Sequence, residues 1–192
     1  MDERAYFDAL AHRWDSIVRH DPSKIERILS LSGVSGRVLD VGCGTGALAP
    51  FLSRVCDEIL AIDISEAMIF EAKRKRRHKN VRFLCGDALD LSLETGKFNA
   101  VICYSVFPHF ADKSEAAALL AERLLPDGRL IIAHSQGREE INRVHKRMEG
   151  CALPPSGELE AMLSDAGLRP FLSIDESGLY MVCGLKNAPE GA

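Results

Sequence analysis

Long apolar runs, paired cysteines and an excess of positive charge are all missing from this sequence. No apolar run approaches the ~18 residues that a membrane-spanning helix needs, and the N-terminus (Met1-Asp-Glu-Arg) lacks the basic and then apolar layout of a secretory signal. The six cysteines form no C-x-x-C pair and lie mostly in apolar stretches, which indicates reduced, buried thiols, with Cys151 as the exception. We therefore expect a cytoplasmic protein with no membrane partner.

The net charge of −4 gives no electrostatic reason to expect a nucleic-acid partner. One basic run, Lys73-Arg-Lys-Arg-Arg-His-Lys79, stands against this overall charge. It ends a predicted helix, where cations suit the helix dipole and lie away from the expected ligand crevice, so a solvated helix end is favoured over a polyanion contact. No internal repeat divides the 192 residues, which are enough for one core and one domain.

The segment Val38-Leu-Asp-Val-Gly-Cys-Gly-Thr-Gly46 carries the clearest functional signal. An apolar strand reaches a carboxylate at Asp40 and then breaks into glycines at every second position, which permits a sharp turn and a close approach of a ligand to the backbone. The next segment, Ala47 to Arg54, predicts a helix whose first N–H groups point back toward that ligand. The pattern is typical of the entrance to a nucleotide-type site.

Two cofactor classes fit a glycine loop between a strand and a helix. Gly42-x-Gly44-x-x-Ala47 satisfies the loose dinucleotide pattern G-x-G-x-x-[GA]. The longer pattern that begins at Asp40 and includes Gly46, Asp-x-Gly-x-Gly-x-Gly, resembles the first motif of class I S-adenosylmethionine-dependent methyltransferases. This resemblance extends along nearly the whole chain, and it implies S-adenosyl-L-methionine as the cofactor.

Short β-branched runs alternate with helical stretches, which predicts an α/β fold with a doubly wound, mostly parallel sheet. The predicted strands are Arg37 to Val41, Glu58 to Asp63, Val81 to Cys85, Phe98 to Cys103 and Arg129 to His134. The predicted helices between them are Leu48 to Arg54, Ser65 to Arg77 and Lys113 to Leu125. In such a sheet, ligands bind outside the carboxyl ends of the strands.

After the fifth predicted strand, the regular alternation of strands and helices ends. Arg138 to Met148 predicts an inserted helix and Glu158 to Ala166 the last helix, and two strand-like runs follow, Pro170 to Ile174 and Leu179 to Leu185. The resemblance implies that these two runs form an antiparallel hairpin that completes a seven-stranded, Rossmann-like sheet. A dinucleotide-binding fold would instead end in a parallel strand.

We expect a single methyltransferase domain over residues 1–192. Its N-terminal helices carry an aromatic cluster, Tyr6, Phe7 and Trp14, which favours a cover over the active site, while packing on the sheet edge stays open. The four expected parts are the helical cover (1–30), the cofactor-binding core (31–135), an inserted helix and loop over the substrate pocket (136–157), and the last helix with the terminal hairpin (158–185).

Carboxylates stand at the ends of three successive strands: Asp40, Asp63 and Asp87. Buried acids without partners are costly, so the set favours one ligand with several donors, although each acid alone also fits a helix N-cap. The resemblance implies that Asp63 binds the ribose hydroxyls, Asp87 accepts from the adenine amine, and Asp40 faces the methionine part. The predicted cofactor-binding residues are Asp40, Gly42, Cys43, Gly44, Gly46, Asp63, Ile64, Met68, Gly86, Asp87, Ala88, Tyr104 and Ser105.

Histidine and tyrosine residues follow the fourth and fifth strands, where the resemblance places the methyl acceptor. His109, His134 and His145 are candidates for a general base, because a phenol, thiol or ammonium nucleophile must lose a proton and imidazole titrates near neutral pH. Tyr104 and Ser105 are candidates for contact with the substrate. Tyr104 joins the three histidines as a candidate catalytic residue.

The sequence therefore predicts an S-adenosylmethionine-dependent methyltransferase that moves a methyl group to an N, O, S or C nucleophile of a small molecule. The alternatives are an NAD(P)-dependent oxidoreductase and a catalytically silent, cofactor-binding regulatory subunit. No metal is assigned, although the three histidines with Cys151 or Glu139 offer a secondary metal-binding alternative. The absence of Asn-Pro-Pro-Tyr argues against a nucleobase target, and a homodimer is left open.

Overall fold

Seven strands form one sheet in the computed structural model, which describes residues 3–90, 92–93, 96–146 and 150–188. The strands are β1 Arg37–Val41, β2 Glu58–Asp63, β3 Val81–Cys85, β4 Phe98–Tyr104, β5 Leu124–His134, β6 Leu168–Glu176 and β7 Leu179–Lys186. Their order is β3-β2-β1-β4-β5-β7-β6. β1 to β5 are parallel, whereas β7 is antiparallel to both β5 and β6. The predicted α/β fold with a terminal antiparallel hairpin is confirmed.

The strand order reverses direction at β1. The chain first builds outward from β1 to β2 and β3, and it then returns to place β4 on the other side of β1. The loops that leave the carboxyl ends of β1 and β4 therefore diverge and open a crevice between them. The topology places a ligand site at this crevice.

The helices differ from the predicted ones mainly at their ends. They are α1 Glu3–Leu10, α2 Trp14–Ile17, α3 Pro22–Ser32, α4 Ala49–Val55, α5 Glu66–Lys75, α6 Lys113–Glu122, α7 Arg138–Val144 and α8 Ser156–Asp165, with 3-10 turns at Ala11–Arg13 and Phe107–His109. The predicted extension of α6 to Leu125 is wrong, because Leu124 already begins β5. In the predicted stretch up to Met148, residues 147–149 lie outside the described residues. Within the described ranges, no helix is long and apolar enough to cross a membrane.

Side-chain caps explain where three of these helices begin. Asp21, Ser65 and Asp112 stand just before α3, α5 and α6, and each accepts a hydrogen bond from a backbone N–H of the first turn, at 2.9, 3.1 and 2.8 Å. Each bond satisfies an N–H group that has no partner within its own helix. The cap at Ser65 starts α5 directly after β2, so it also helps to position the end of that strand.

Helices cover both faces of the sheet. α3, α4 and α5 bury one face with Ile28, Leu52 and Ile69, and α6 and α8 bury the other with Leu120 and Leu159. Successive residues of β4 alternate between these two cores, because side chains of a strand point to opposite faces. The carboxyl ends of the strands lie beyond this covering and are free to carry polar side chains.

None of the six cysteines forms a disulfide bond. Cys43, Cys56, Cys103 and Cys183 are buried, as the sequence indicates. Cys85 is exposed, so the expectation of burial is wrong there; β3 is an edge strand of the sheet and has a neighbour on one side only.

Replacing Leu159 by alanine is expected to lower the free energy of unfolding by about 2–5 kcal/mol, because this fully buried side chain joins α8 to the sheet and its loss leaves a cavity. The control Leu31→Ala removes a side chain that is 40% exposed, and it is expected to cost less than about 1 kcal/mol. Urea unfolding followed by circular dichroism measures both. Equal losses would show that Leu159 does not join α8 to the core.

Candidate active site

A cavity of about 510 Å³ lies at the carboxyl ends of β1 and β4. This volume is in the range of small-molecule pockets. The predicted site residues that line it are Asp40, Gly42, Cys43, Gly44, Asp63, Ile64, Met68, Gly86, Asp87, Ala88, Tyr104, Ser105, His109, His134 and His145. Gly46 is the predicted residue that the structure places outside this lining.

The glycine loop after β1 uses backbone angles that glycine adopts more easily than other residues. Gly42 and Gly44 have φ of +65° and +53°, and a Cβ at Gly42 would lie 2.3 Å from Cγ2 of Val106. Gly46 has φ of +80°, and a Cβ there would lie 3.1 Å from the Phe83 ring. Gly46 therefore allows the loop to pack on β3, and the structure does not bring it to the cavity as the motif suggested.

Asp63 at the end of β2 links the glycine loop to α5. Its carboxylate accepts hydrogen bonds from the backbone N–H of Gly44 at 2.8 Å and from that of Ser65 at 2.9 Å. Burial raises the pKa of Asp63, although these two N–H groups oppose the shift by stabilising the charged form. A carboxylate oxygen can accept more than one hydrogen bond, so Asp63 keeps acceptor capacity toward the cavity.

Asp40 is a buried carboxyl group whose bonding is incomplete. It is 2% exposed, lines the cavity, and its Oδ2 has no hydrogen-bond partner among the described residues. Burial, with a smaller contribution from the charge of Asp63, raises its pKa to about 8. Because an unpaired buried carboxylate is costly, this arrangement favours a cationic hydrogen-bond donor next to Asp40.

Asp87, after β3, makes a local turn bond and also lines the cavity. Its Oδ1 accepts from the backbone N–H of Leu89 at 2.8 Å, which is a local turn bond of the kind an N-cap residue makes. The residue also lines the cavity, next to the buried Ala88. Met68 and Ile64 add apolar surface to the lining of the same cavity, which suits a flat apolar group with a polar edge.

The N-terminal segment lies across the cavity. Phe7 packs edge to face against both Tyr6 and Trp14, with ring centroids 5.3 and 5.6 Å apart. All three residues line the cavity. Asp15 holds the segment to the glycine loop, because it accepts from the Thr45 hydroxyl. Asp8 makes a second attachment, since it accepts from the Ser65 hydroxyl at 2.6 Å.

The basic run at the end of α5 contacts this same segment. Lys75 donates to Asp15 at 3.0 Å and lies 3.1 Å from Glu71, and Arg74 donates to Glu71 at 2.7 Å. Lys75 is not among the described residues that line the cavity, so the predicted placement of the run away from the ligand crevice stands for this residue. What the sequence did not show is the tertiary contact with Asp15 of α2, whose carboxylate neutralises part of the positive charge.

Three predicted histidines converge at the end of the cavity near α7. The His109 and His145 rings lie 5.0 Å apart, and His109 also contacts Phe7. His134, the last residue of β5, is 1% exposed, and burial lowers its pKa to about 3, with help from the nearby His145 and His109. His134 is thus uncharged at neutral pH and a weak proton acceptor, so a role as general base fits the other two histidines better.

His145 has a defined tautomer when neutral. Its Nδ1 lies 2.9 Å from the carbonyl oxygen of Ile141, and a carbonyl can only accept. Nδ1 therefore carries the proton, and Nε2 presents the lone pair. No group of three histidine, cysteine, aspartate or glutamate residues in the described part of the chain is arranged to hold a metal ion.

Tyr104 lies in a hydrogen-bonded chain that sequence reasoning missed. Its hydroxyl is 3.0 Å from Nδ1 of His20 and donates to the Ser135 hydroxyl at 3.0 Å. Burial raises the Tyr104 pKa, so the phenol stays protonated. Ser105 follows with φ of +58°, a strained angle for a non-glycine residue of the kind found at functional sites. His20 gave no local signal, because it is 84 residues from Tyr104 in sequence.

Comparisons with known proteins agree with this geometry. The sequence pattern of the methyltransferase domain family matches residues 39–132. The O-methyltransferase rstn1 of Aspergillus nomiae is 30% identical over 188 residues, which cover 86% of this chain and 84% of that protein. The ubiquinone biosynthesis O-methyltransferase of Xanthomonas oryzae is 29% identical over 138 residues, or 66% of this chain and 58% of that protein.

The chain spans about half the length of several other curated relatives, from 40% to 49%. Among solved structures, the complex of DhpI with SAH has a TM-score of 0.77 and 20% identity, with 97% of this chain and 96% of that chain covered. At this identity, the structural likeness concerns the fold.

Replacing Asp15 by alanine is expected to loosen the N-terminal segment, because it removes the bonds to Thr45 and Lys75. Loss of about 1 kcal/mol from this attachment would speed amide hydrogen exchange in residues 4–17 about fivefold. Exchange followed by mass spectrometry measures this, with the exposed Asp57→Ala as the matched control. Unchanged protection in the Asp15 variant would show that other contacts hold the segment.

Proposed function

The chain belongs to the class I S-adenosylmethionine-dependent methyltransferases, and on that basis we propose that it transfers a methyl group to a small molecule bound in the cavity at β1 and β4. One observation carries this proposal. Asp40 lines the cavity beside the glycine loop and Asp63, and its buried Oδ2 has no hydrogen-bond partner among the described residues. These carboxyl groups are hydrogen-bond acceptors, so they suit a ligand that is cationic at one end and carries hydroxyl groups next to it.

The residues of the site fit the cofactor of the family. Asp40 would accept from the ammonium of its methionine part, directly or through water, and Asp63 from the ribose hydroxyls. Asp87 would accept from the adenine amine, with Ala88 and Ile64 against the base. Asp40 and Asp63 stand beside the glycine loop, and their charge would repel the anionic pyrophosphate of a dinucleotide; no described lysine and a single arginine, Arg19, line the cavity to offset it.

When bound, S-adenosylmethionine supplies an electrophilic methyl group on a sulfonium centre. The chain's own residues then need to hold the acceptor in line and exclude water. The rings of Tyr6, Phe7 and Trp14 serve the second purpose, because they cover the cavity with apolar surface. We assign residues 1–30 as a cover, 31–135 as the cofactor core, 136–157 as the roof of the acceptor pocket and 158–185 as the closing helix and hairpin.

A protonated nucleophile would give its proton to Nε2 of His145. This atom carries the lone pair of the neutral ring, because Nδ1 is committed to the Ile141 carbonyl. His109 packs on that ring and is the second candidate base, while Tyr104 and Ser105 would contact the acceptor from the opposite side. The names of rstn1 and of the ubiquinone-pathway relative support a small-molecule acceptor, and the relatives found give no support to an oxidoreductase or a silent regulatory subunit.

Replacing Asp63 by alanine is expected to weaken the binding of S-adenosylhomocysteine at least about tenfold, the effect of losing one charge-assisted hydrogen bond. Isothermal titration calorimetry measures this, with the exposed Asp165→Ala as control. NADH is titrated in parallel. Saturable binding of NADH with no heat from S-adenosylhomocysteine would reject the proposed function.

The affinity for S-adenosylhomocysteine is expected to rise from about pH 6 to about pH 8, because the Asp40 carboxyl, with its pKa raised to about 8, must lose its proton before it can accept from the ligand's ammonium. Below that pKa, the free-energy cost of removing the Asp40 proton is subtracted from the binding energy. Above it, Asp40 is already a carboxylate and can accept from the ammonium without this cost. Asp40→Asn should bind more weakly and lose this pH dependence. Calorimetry across this pH range tests both points. If the affinity of Asp40→Asn changed with pH as that of the unmodified protein does, Asp40 would not be the group that accepts from the ammonium.

A further inference from the structure

We propose that His134 recognises a neutral hydroxyl group of the methyl acceptor, so that the substrate is an alcohol or a phenol with an apolar body. This inference rests on the proposed function, since it concerns the acceptor end of the same cavity. It names a specificity-determining residue and a substrate class. The argument begins from the hydrogen bonds that His134 lacks.

Neither ring nitrogen of His134 has a hydrogen-bond partner among the described residues, although the side chain is 1% exposed. The nearest aromatic neighbour, Tyr180, has its ring centroid 6.4 Å away and donates its hydroxyl to the carbonyl of Pro154 instead. A buried imidazole with no partner is costly, and most buried polar groups in native proteins are paired. Because His134 lines the cavity, a ligand is the partner that this position lacks.

The ring of His134 stays uncharged. Burial lowers its pKa, and His109 and His145, which face it from the loop after β4 and from α7, lower it further. A neutral imidazole has one N–H donor and one lone pair. His134 therefore recognises its ligand group by hydrogen bonding and not by charge.

A hydroxyl group matches such a ring better than a charged group does. It can donate and accept, whereas a carboxylate only accepts and an ammonium only donates. A carboxylate at this end would also meet no cation among the described lining residues, because Arg19, the one that lines the cavity, is exposed on the N-terminal segment. An ammonium would lie beside the imidazole rings of His134, His109 and His145, which carry no negative charge to pair with it.

The walls next to His134 define the rest of the acceptor. Ile141 and Val144 of α7 and Val106 and Phe110 of the loop after β4 line the same cavity as His134. These side chains offer an apolar surface with no further charge, and they suit a hydrocarbon or aromatic body that carries the hydroxyl. A site that binds a hydroxyl by hydrogen bonds in an apolar pocket discriminates strongly against analogues that lack it.

The test uses the protein saturated with S-adenosylhomocysteine and three probes that share one apolar body: 2-naphthol, 2-naphthoate and 2-naphthylmethylamine. Calorimetry is expected to show that 2-naphthol binds at least about tenfold more tightly than either charged probe. His134→Phe should abolish this preference, because it keeps a ring and removes both nitrogens. His134→Gln, which retains a donor and an acceptor, should keep most of it.

The control His12→Phe changes an exposed histidine outside the cavity lining, and it should leave the ranking of the probes unchanged. Equal affinities for the three probes, preference for 2-naphthoate, or a preference that survives in His134→Phe would each overturn the inference. A preference for 2-naphthol in the unmodified protein tests the substrate class, and its loss in His134→Phe but not in His134→Gln tests the role of His134. Absence of S-adenosylhomocysteine binding, measured first, would instead reject the proposed function and the inference with it.

Discussion

The carboxylate of Asp63 is the interaction on which the site depends. It accepts from Gly44 in the glycine loop and from Ser65 at the start of α5, so one side chain fixes the loop, the end of β2 and a helix relative to one another. Ser65 in turn donates its hydroxyl to Asp8 of α1. The N-terminal segment is therefore attached to the same centre that shapes the cofactor loop.

Asp40 lies next to this centre and shows what the arrangement costs in the free protein. Two carboxyl groups share a largely buried region, and the more buried of them, Asp40, has its pKa raised to about 8 as a result. Asp63 has two backbone N–H groups to stabilise its charge, whereas Oδ2 of Asp40 has no partner among the described residues. A cationic ligand group next to Asp40 would offset the repulsion between the two carboxylates and the cost of burying the charge of Asp40. A carboxyl position that is unfavourable in the free protein is therefore consistent with ligand binding.

Most of the fold could be predicted from local patterns, and the exceptions have tertiary causes. β1, β2 and β3 match their predicted ranges because each β-branched run is bounded by turn residues or charges. The start of β5 could not be found in this way, since Leu124 follows a helical pattern and pairs with Phe98 only in the folded sheet. Among the acids, the order of strand ends was enough to bring Asp40, Asp63 and Asp87 to one cavity.

The contacts of the N-terminal segment were beyond sequence reasoning. Asp15 reaches Thr45 and Lys75, and His20 reaches Tyr104, across separations of 30, 60 and 84 residues, and no spacing rule connects such pairs. One of these contacts, the ion pair with Asp15, attaches Lys75 to the N-terminal segment, and the net charge of the basic run does not predict it. The motif predicted that Gly46 contacts the ligand. In the structure, Gly46 packs closely against Phe83 of β3, and this packing is a second reason for a glycine at that position.

The alternation of side chains along β4 and β5 gives the acceptor end two chemically different sides. Tyr104 belongs to the core face covered by α3 to α5, and its hydroxyl joins His20 and Ser135. His134 follows Ala133, the residue paired with Tyr104, so it points to the opposite face, toward Tyr180. The first side is already hydrogen-bonded within the protein, and the second has unmet bonding capacity. If the acceptor binds between them, as proposed, it would gain more from polar contact with the His134 side, and this difference would orient it within the cavity.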